Sequence, residues 1–243
     1  MAELDIQWLG RVDYRQGLAL QDRLVAERRA GSIPDQLLLL EHEPVYTIGR
    51  TPDQSSLRDA AHLPHPVVQI NRGGQATYHG PGQLIGYPIL DLRGHGQDLH
   101  RYLRAIEELL IAVCAKFGVV ARRRECLTGT WVVDRKIASI GVGVRHWVSM
   151  HGFALNVCGD LAPFRQITPC GIAGVAMTSI ELETKRPVTV QAAAVTASGL
   201  FPGFFPGITS QGSSAAAASL PASGWTPGET ARHGSDTPGD ASP

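Results

Sequence analysis

The chain of 243 residues suits one domain, or one domain with a tail, and its 43% hydrophobic content can fill a sizeable core. Its 22 basic and 22 acidic residues cancel, so no global field draws it to nucleic acid or to an anionic membrane. No apolar run approaches the roughly 20 residues of a membrane span, and the opening "MAELDIQWLGRVDYRQ" lacks a signal peptide's apolar core, so the expected compartment is the cytoplasm.

Residues 13–30, "DYRQGLALQDRLVAERRA", read as an amphipathic helix with Leu18, Leu24 and Val25 on its apolar stripe and Gly31 as its stop. "QLLLLEHEPVYTIG" starts as a buried strand and is broken by Pro44 and Gly49. "PVVQI" is a short strand. The glycine-rich stretch "NRGGQATYHGPGQLIGYP" follows and runs into the strand-like "LIGYPILDL". The clearest helix spans 98–118, where Leu99, Leu103, Ile106, Leu110, Val113 and Phe117 recur at helical spacing. Asp98 is its expected N-cap and Gly118 its C-terminal stop.

From Thr130 onward "TWVV", "KIASIGVGV" and "VSMHGFALNV" read as an antiparallel meander with polar turns. The fold class expected is α+β, or mixed α/β, rather than a doubly wound sheet. A weaker helix, "TVQAAAVTASGL", closes the domain near residue 205. Residues 206–243 are rich in Gly, Ser, Ala and Pro and are expected to be a disordered tail, because they carry too few large apolar groups to offset ordering entropy.

The glycine-rich stretch matches neither common phosphate loop. No Gly-Lys-Ser/Thr ends it, and a strand rather than a helix follows it, so no helix N-terminus is offered to a phosphate. Gly73, Gly74, Gly80 and Gly82 can let backbone approach a ligand. His79 among them has three readings: a donor to a carbonyl, a base, or a strut between loops.

Four cysteines occur, and no Cys-x-x-Cys pair, so no zinc site is expected. Cys114 falls on the apolar face of the second helix and Cys158 ends an apolar strand, so both read as core thiols. Cys126 follows a run of arginines that could lower its pKa. Cys170, between Pro169 and Gly171, lies in an irregular loop, either incidental or nucleophilic. The chain has only three lysines, Lys116, Lys136 and Lys185. If its strand is regular, Lys136 shares a face with Ala138, Ile140, Val142 and Val144. Desolvation there would favour the neutral amine and suit a base; alternatively it sits at the strand's start and reaches water.

Taken together, these segments resemble the lipoyl(octanoyl) transferases. The family pattern stands complete as Arg72-Gly73-Gly74, Thr77-Tyr78-His79-Gly80-Pro81-Gly82-Gln83 and Tyr87-Pro88. "KIASIGVGV", "HGFALNV", "PCGI" and "MTSIE" match its lysine segment, next strand and nucleophile loop, and the similarity runs over roughly 5–200. The resemblance implies a biotin/lipoate ligase-like domain over 1–205: a mixed sheet with flanking helices around an acyl pocket. It implies transfer of an octanoyl group from the phosphopantetheine of octanoyl-acyl carrier protein to a lysine of lipoyl domains. Those acceptors belong to 2-oxoacid dehydrogenases and the glycine-cleavage H protein. No ATP, other cofactor or metal is expected, and the enzyme is expected to be a monomer.

By the same resemblance Cys170 is the nucleophile that forms a thioester, and Lys136 its base. Arg72, Gly73, Gly74, Gln75, Ala76, Thr77, Tyr78 and His79 line the substrate site, with Ser139, Ile140, Gly141, Gly152, Phe153 and Ala154. Backbone N–H groups near Cys170 and in the glycine-rich loop would hold the oxyanion. Three rivals remain open at this point: an ATP-dependent lipoate or biotin ligase on the same fold, a noncatalytic acyl-binding protein, and a cysteine hydrolase with His79 as base.

Overall fold

A computed structural model describes residues 2–50, 53–205 and 208–210. The twelve described strands are β1 (Ala2–Val12), β2 (Asp35–His42), β3 (Val45–Ile48), β4 (Val67–Gln69), β5 (Thr77–His79), β6 (Gln83–Ile89), β7 (Arg122–Arg124), β8 (Leu127–Val132), β9 (Arg135–Arg145), β10 (Val148–Asn156), β11 (Ala176–Met177) and β12 (Ile208–Ser210). The helices are α1 (Tyr14–Arg29), α2 (Leu99–Lys116), α3 (Ile180–Thr184) and α4 (Val190–Phe204). Short 3-10 turns fill several of the connections between them.

The main sheet runs β12-β1-β2-β6-β10-β9-β8-β7, with β11 beside β9. β1 is parallel to β2 and β12, whereas β2, β6, β10, β9 and β8 are successively antiparallel. The meander expected from Thr130 onward is present, and the class is mixed α+β. A small sheet, β4-β3-β5, stands apart from it.

Period-two alternation on β2 divides the core. Leu37 and Leu39 face α2 and α4, where Ile106, Leu110, Val113, Ala193, Ala197 and Phe201 meet Leu84, Phe153 and Leu155. Leu38 and Leu40 face the opposite way, onto Leu24 and Val25 of α1 with Ile85, Tyr87 and Ala154. The sheet is therefore buried on both faces, which is why β2 reads as an unbroken leucine run rather than an alternating one. A third cluster, Tyr46, Ile48, Ala76, Tyr78 and Phe164, fastens the small sheet to the later loops.

Both long helices start where the sequence places them. Asp13 accepts from Arg15 and Gln16 N–H, and Asp98 from His100 and Arg101 N–H. Their faces need correction in part. Leu18, though only partly buried, packs with Leu24 and Val25 as expected, and the polar Gln21 is buried beside them. Leu99 is 40% exposed at the first turn of α2, while Leu109 and Glu107 are buried. Cys114 is core as expected, and its burial pushes the thiol up to about 12. Cys158 is half-buried rather than core, and Cys126 is exposed.

β1 lies where no strand was expected, although Leu4, Ile6 and Trp8 alternate onto one cluster. Residues 206–207 and 211–243 of the expected tail lie outside the described residues. Ile208–Ser210 pair in parallel with Ala2–Leu4.

Candidate active site

The nucleophile candidate sits on a 3-10 turn, Pro169–Gly171, where Cys170 takes the left-handed conformation with φ 55°. A non-glycine residue held there is strained, a state typical of functional positions. Two hydrogen bonds fix the turn against the glycine-rich loop. Cys170 N–H donates to the Ala76 carbonyl at 2.9 Å, and Thr168 N–H to the Ser56 carbonyl at 2.7 Å. The Ser56 hydroxyl in turn accepts from Ala76 N–H at 3.1 Å. After the turn the chain runs into β11, which pairs Met177 with Lys136, and Thr178 N–H donates to the Lys136 carbonyl at 3.0 Å. This zipper brings the Cys170 loop to the lysine strand.

Lys136 is 2% exposed, so it does not reach water from the strand's start. Its Nζ donates to Cys170 Sγ at 3.2 Å and stands 5.3 Å from the Trp131 ring centroid. The strand is not regular at this point. Thr130 pairs with Ala138 but Trp131 with Lys136, which makes Ile137 an extra residue, a β-bulge. The expected common face of Lys136 and Ala138 is lost there, since Ile137 and Ala138 both enter the same core cluster. The Ser139 hydroxyl lies 3.8 Å from the same sulfur.

Two cavities meet at Cys170, with Arg72, Ile140 and Gly141 shared between them. The inner one, about 40 Å³, is walled by Thr77, His79, Ser139, Gly152, Phe153 and Ala154, with Tyr14, Ile85, Tyr87 and His151. The outer one, about 370 Å³, is walled by Gly73, Gly74, Gln75 and Lys136, with Leu103, Cys126, Leu127, Thr128, Val142 and Ile172. Ala76 and Tyr78 line neither, because both pack in the third core cluster. Gly80 and Gly82 also face protein rather than cavity: a Cβ there would meet the Tyr78 ring or the Cys158 carbonyl.

Arg72 is a buried guanidinium held by oxygens that carry no charge. It donates to Gly73 O at 2.8 Å, Gln75 O at 3.0 Å, Thr47 O at 3.3 Å and Thr47 Oγ1 at 3.0 Å. Gly141 leaves room for it, since a Cβ there would fall 2.9 Å from Arg72 Cδ. Burial pulls the guanidinium below its ordinary value. The guanidinium stays charged and favours an anion in the adjoining cavities.

His79 is a strut. Its Nδ1 faces Gln83 Oε1 at 2.7 Å, and Gln83 Nε2 donates to Asn156 Oδ1 at 2.9 Å and to Tyr78 O at 3.3 Å. Asn156 Nδ2 donates onward to Thr178 O at 3.0 Å. That order fixes the proton on Nδ1 and turns a bare Nε2 toward the Thr47 hydroxyl at 3.5 Å. Burial holds the imidazole down at about 3, so it stays neutral. His42 and His151 nearby are likewise held at about 4, chiefly by burial, and burial raises Tyr14 to about 12. His151 faces the Asn71 carbonyl, and its Nε2 has no partner.

The expected oxyanion donors of the Cys170 turn are already used. N–H of Cys170, Gly171 and Ile172 donate to Ala76, Thr168 and Pro169 carbonyls. Donors on that side are left to the Ser139 hydroxyl and the glycine-rich loop. The sequence reading did not include Tyr14, Thr47, Tyr87, His151, Asn156 or Trp131. Tyr87, His151 and Asn156 stand inside the quoted motifs and were within reach of it. Tyr14, Thr47 and Trp131 had no local signal, because only packing brings Tyr14 to the inner cavity, Thr47 to Arg72 and Trp131 to Lys136.

Residues 13–198 match the lipoyl protein ligase A/B catalytic domain. The octanoyltransferase of Geobacter metallireducens is 53% identical over 81% of this chain and 91% of its own length. That of Geotalea uraniireducens is 57% identical over 72% of this chain and 80% of its own. Among solved structures, a bi-partite lipoate protein ligase from Thermoplasma acidophilum superposes with a TM-score of 0.67 at 16% identity, covering 87% of this chain and 86% of its own. Lipoate-protein ligase A bound with ATP gives 0.64 at 14% identity, over 86% and 87%. At such identities these structures speak for the fold alone.

Proposed function

Because the chain belongs to the octanoyltransferases of the lipoyl protein ligase A/B family and is an acyltransferase of protein lipoylation, we propose that it works through a Cys170 thioester. In this reading the donor is octanoyl-acyl carrier protein and the acceptor a lipoyl-domain lysine. The observation that carries the reading is the 3.2 Å contact between Lys136 Nζ and Cys170 Sγ. An ATP-dependent ligase shares the fold but needs no such pair, since it activates a free acid.

The proposed reaction has two halves. Cys170 Sγ gives its proton to Lys136 Nζ and attacks the thioester carbonyl. The carbon–sulfur bond to the phosphopantetheine breaks, and the departing sulfur takes the proton back from Lys136. The exchange of one thioester for another is close to isoenergetic. The lysine ε-amine then attacks the acyl-enzyme, Lys136 accepts a proton from it, and the Cys170 sulfur leaves. A free lysine titrates near 10.4, so at neutral pH a nearby base is needed to make the amine nucleophilic. The buried Arg72 charge and the Ser139 hydroxyl supply electrostatic stabilisation as negative charge develops at the carbonyl oxygen.

The carbonyl carbon belongs at the junction of the two cavities, where the sulfur is. We assign the acyl chain to the inner cavity and the incoming thiol or amine to the outer one. On the scale of about 10–15 Å³ per water, the inner cavity holds only a few waters before substrate. Its apolar walls, Ile85, Ile140 and Phe153, would move apart on binding. Burying methylenes there yields about 0.8 kcal/mol each.

The test is intact-mass analysis after mixing with octanoyl-acyl carrier protein and no ATP. An octanoyl adduct is expected, lost in Cys170→Ala and slowed by at least about a hundredfold in Lys136→Ala at neutral pH, with recovery as pH rises. Strict dependence on ATP, or an adduct that survives Cys170→Ala, would sink the reading.

A further inference from the structure

Lys136 reaches Cys170 through a gap in β8 that regular pairing would close. Against β7, Arg122 pairs with Trp131 and Arg124 with Leu127, so Thr128, Gly129 and Thr130 stand opposite Arg123 alone. Gly129 lies in that excess, and its N–H donates to Glu107 Oε1 of α2 at 3.1 Å. Against β9, Ile137 is the extra residue. β8 is thus irregular on both edges at one place, and Lys136 leaves its strand beside it.

Gly129 is what leaves the space. Its φ is +119°, and a Cβ added there would fall 2.8 Å from Lys136 Cε, 3.3 Å from Nζ and 2.6 Å from the Ala138 carbonyl oxygen. On the helix side Glu107 is 1% exposed, and its Oε2 is held by Arg104 at 2.6 Å and Arg123 at 3.1 Å. Burying a carboxylate costs desolvation that its ion pairs do little more than offset. What the arrangement contributes is geometry: a carboxylate clamped by two guanidiniums holds one backbone N–H in a fixed place.

We propose that Glu107 and Gly129 form a bracket that sets the distance between Lys136 Nζ and the Cys170 sulfur, with Glu107 a positioning residue for acyl transfer that acts through Gly129. The inference rests on the reading of Cys170 and Lys136 as nucleophile and base. It adds to the site a residue of α2 that lines neither cavity.

Alkylation of Cys170 by iodoacetamide tests the bracket without any acyl donor. The rate is followed against pH in the whole protein, by mass of the Cys170 peptide. Lys136→Ala is expected to slow alkylation at neutral pH by tenfold or so and to shift its pH profile upward. Gly129→Ala and Glu107→Ala should shift the profile in the same direction. Glu107→Gln, which keeps an oxygen for the Gly129 N–H, should recover most of the rate. In the Lys136→Ala background neither Gly129→Ala nor Glu107→Ala should add a further shift, because the side chain they position is gone.

Full additivity in that background, or a Glu107→Ala profile that overlays the wild type, overturns the bracket. If Gly129→Ala does not fold, the Glu107→Ala and Glu107→Gln comparison gives the same decision. A bracket-dependent alkylation rate without an octanoyl adduct would overturn the proposed donor and leave the bracket standing.

Discussion

Cys170 owes its position to a left-handed φ and to its own N–H, which donates to Ala76. The sulfur is turned to Lys136 while the backbone stays tied to the glycine-rich loop. His79 belongs to a different chain of contacts, Thr47–His79–Gln83–Asn156–Thr178, that ends one residue beyond the Met177–Lys136 pairing. Read as a strut it holds the inner wall, so His79→Leu should cost about 1–3 kcal/mol of stability by leaving Gln83 Oε1 without its donor. The pH profile of acyl capture should keep its shape. Thermal melts and pH–rate curves for this variant and Lys136→Ala check the distinction. A His79→Leu enzyme as stable as wild type, with an altered pH profile, would make the histidine a base after all.

At the scale of elements, β9 is the wall shared by both cavities, and β10 beside it lines the inner one. Ser139 pairs with Ala154 and Ile140 with Phe153, so one register places polar and apolar walls together at the sulfur. Ala154 is buried in the cluster with Ile85 and Tyr87. Ala154→Leu adds three carbons to the inner cavity. It should lower capture of octanoyl relative to shorter acyl groups, by roughly tenfold per excess methylene. Competition between octanoyl- and butanoyl-carrier protein, read by intact mass, measures the ratio. An unchanged preference would move the acyl chain to the outer cavity. The helix periodicity of α2 was legible, yet its most consequential residue, Glu107, was not. A carboxylate on an apolar face looks like a solvated position until Gly129, Arg104 and Arg123 are seen to meet it.

Across the whole molecule, three neutral histidines link stability to pH. His42, His79 and His151 have values near 4, 3 and 4 when folded, held down by burial, against about 6.5 unfolded. The unfolded chain therefore binds protons first as pH falls. Stability is full above about 6.5 and declines below it, each histidine adding up to about 1.4 kcal/mol per pH unit until its folded value is reached. Thermal melts between pH 7 and 4.5 should show a falling Tm, with a shallower fall in His151→Gln. A flat Tm over that range would mean the imidazoles are not buried neutral. The sequence alone determined the two long helices, the meander and the mixed class, and its motifs singled out Lys136 and Cys170 as candidates, because periodicity, capping and motif are local and survive in one dimension. The tertiary structure alone decided that Lys136 leaves a bulge to meet Cys170, that the turn's N–H groups are spent, and that His79 sits in a buried hydrogen-bond chain. Those facts depend on strand register and on which partner a buried polar group finds, and both are set by contacts between residues far apart in the chain.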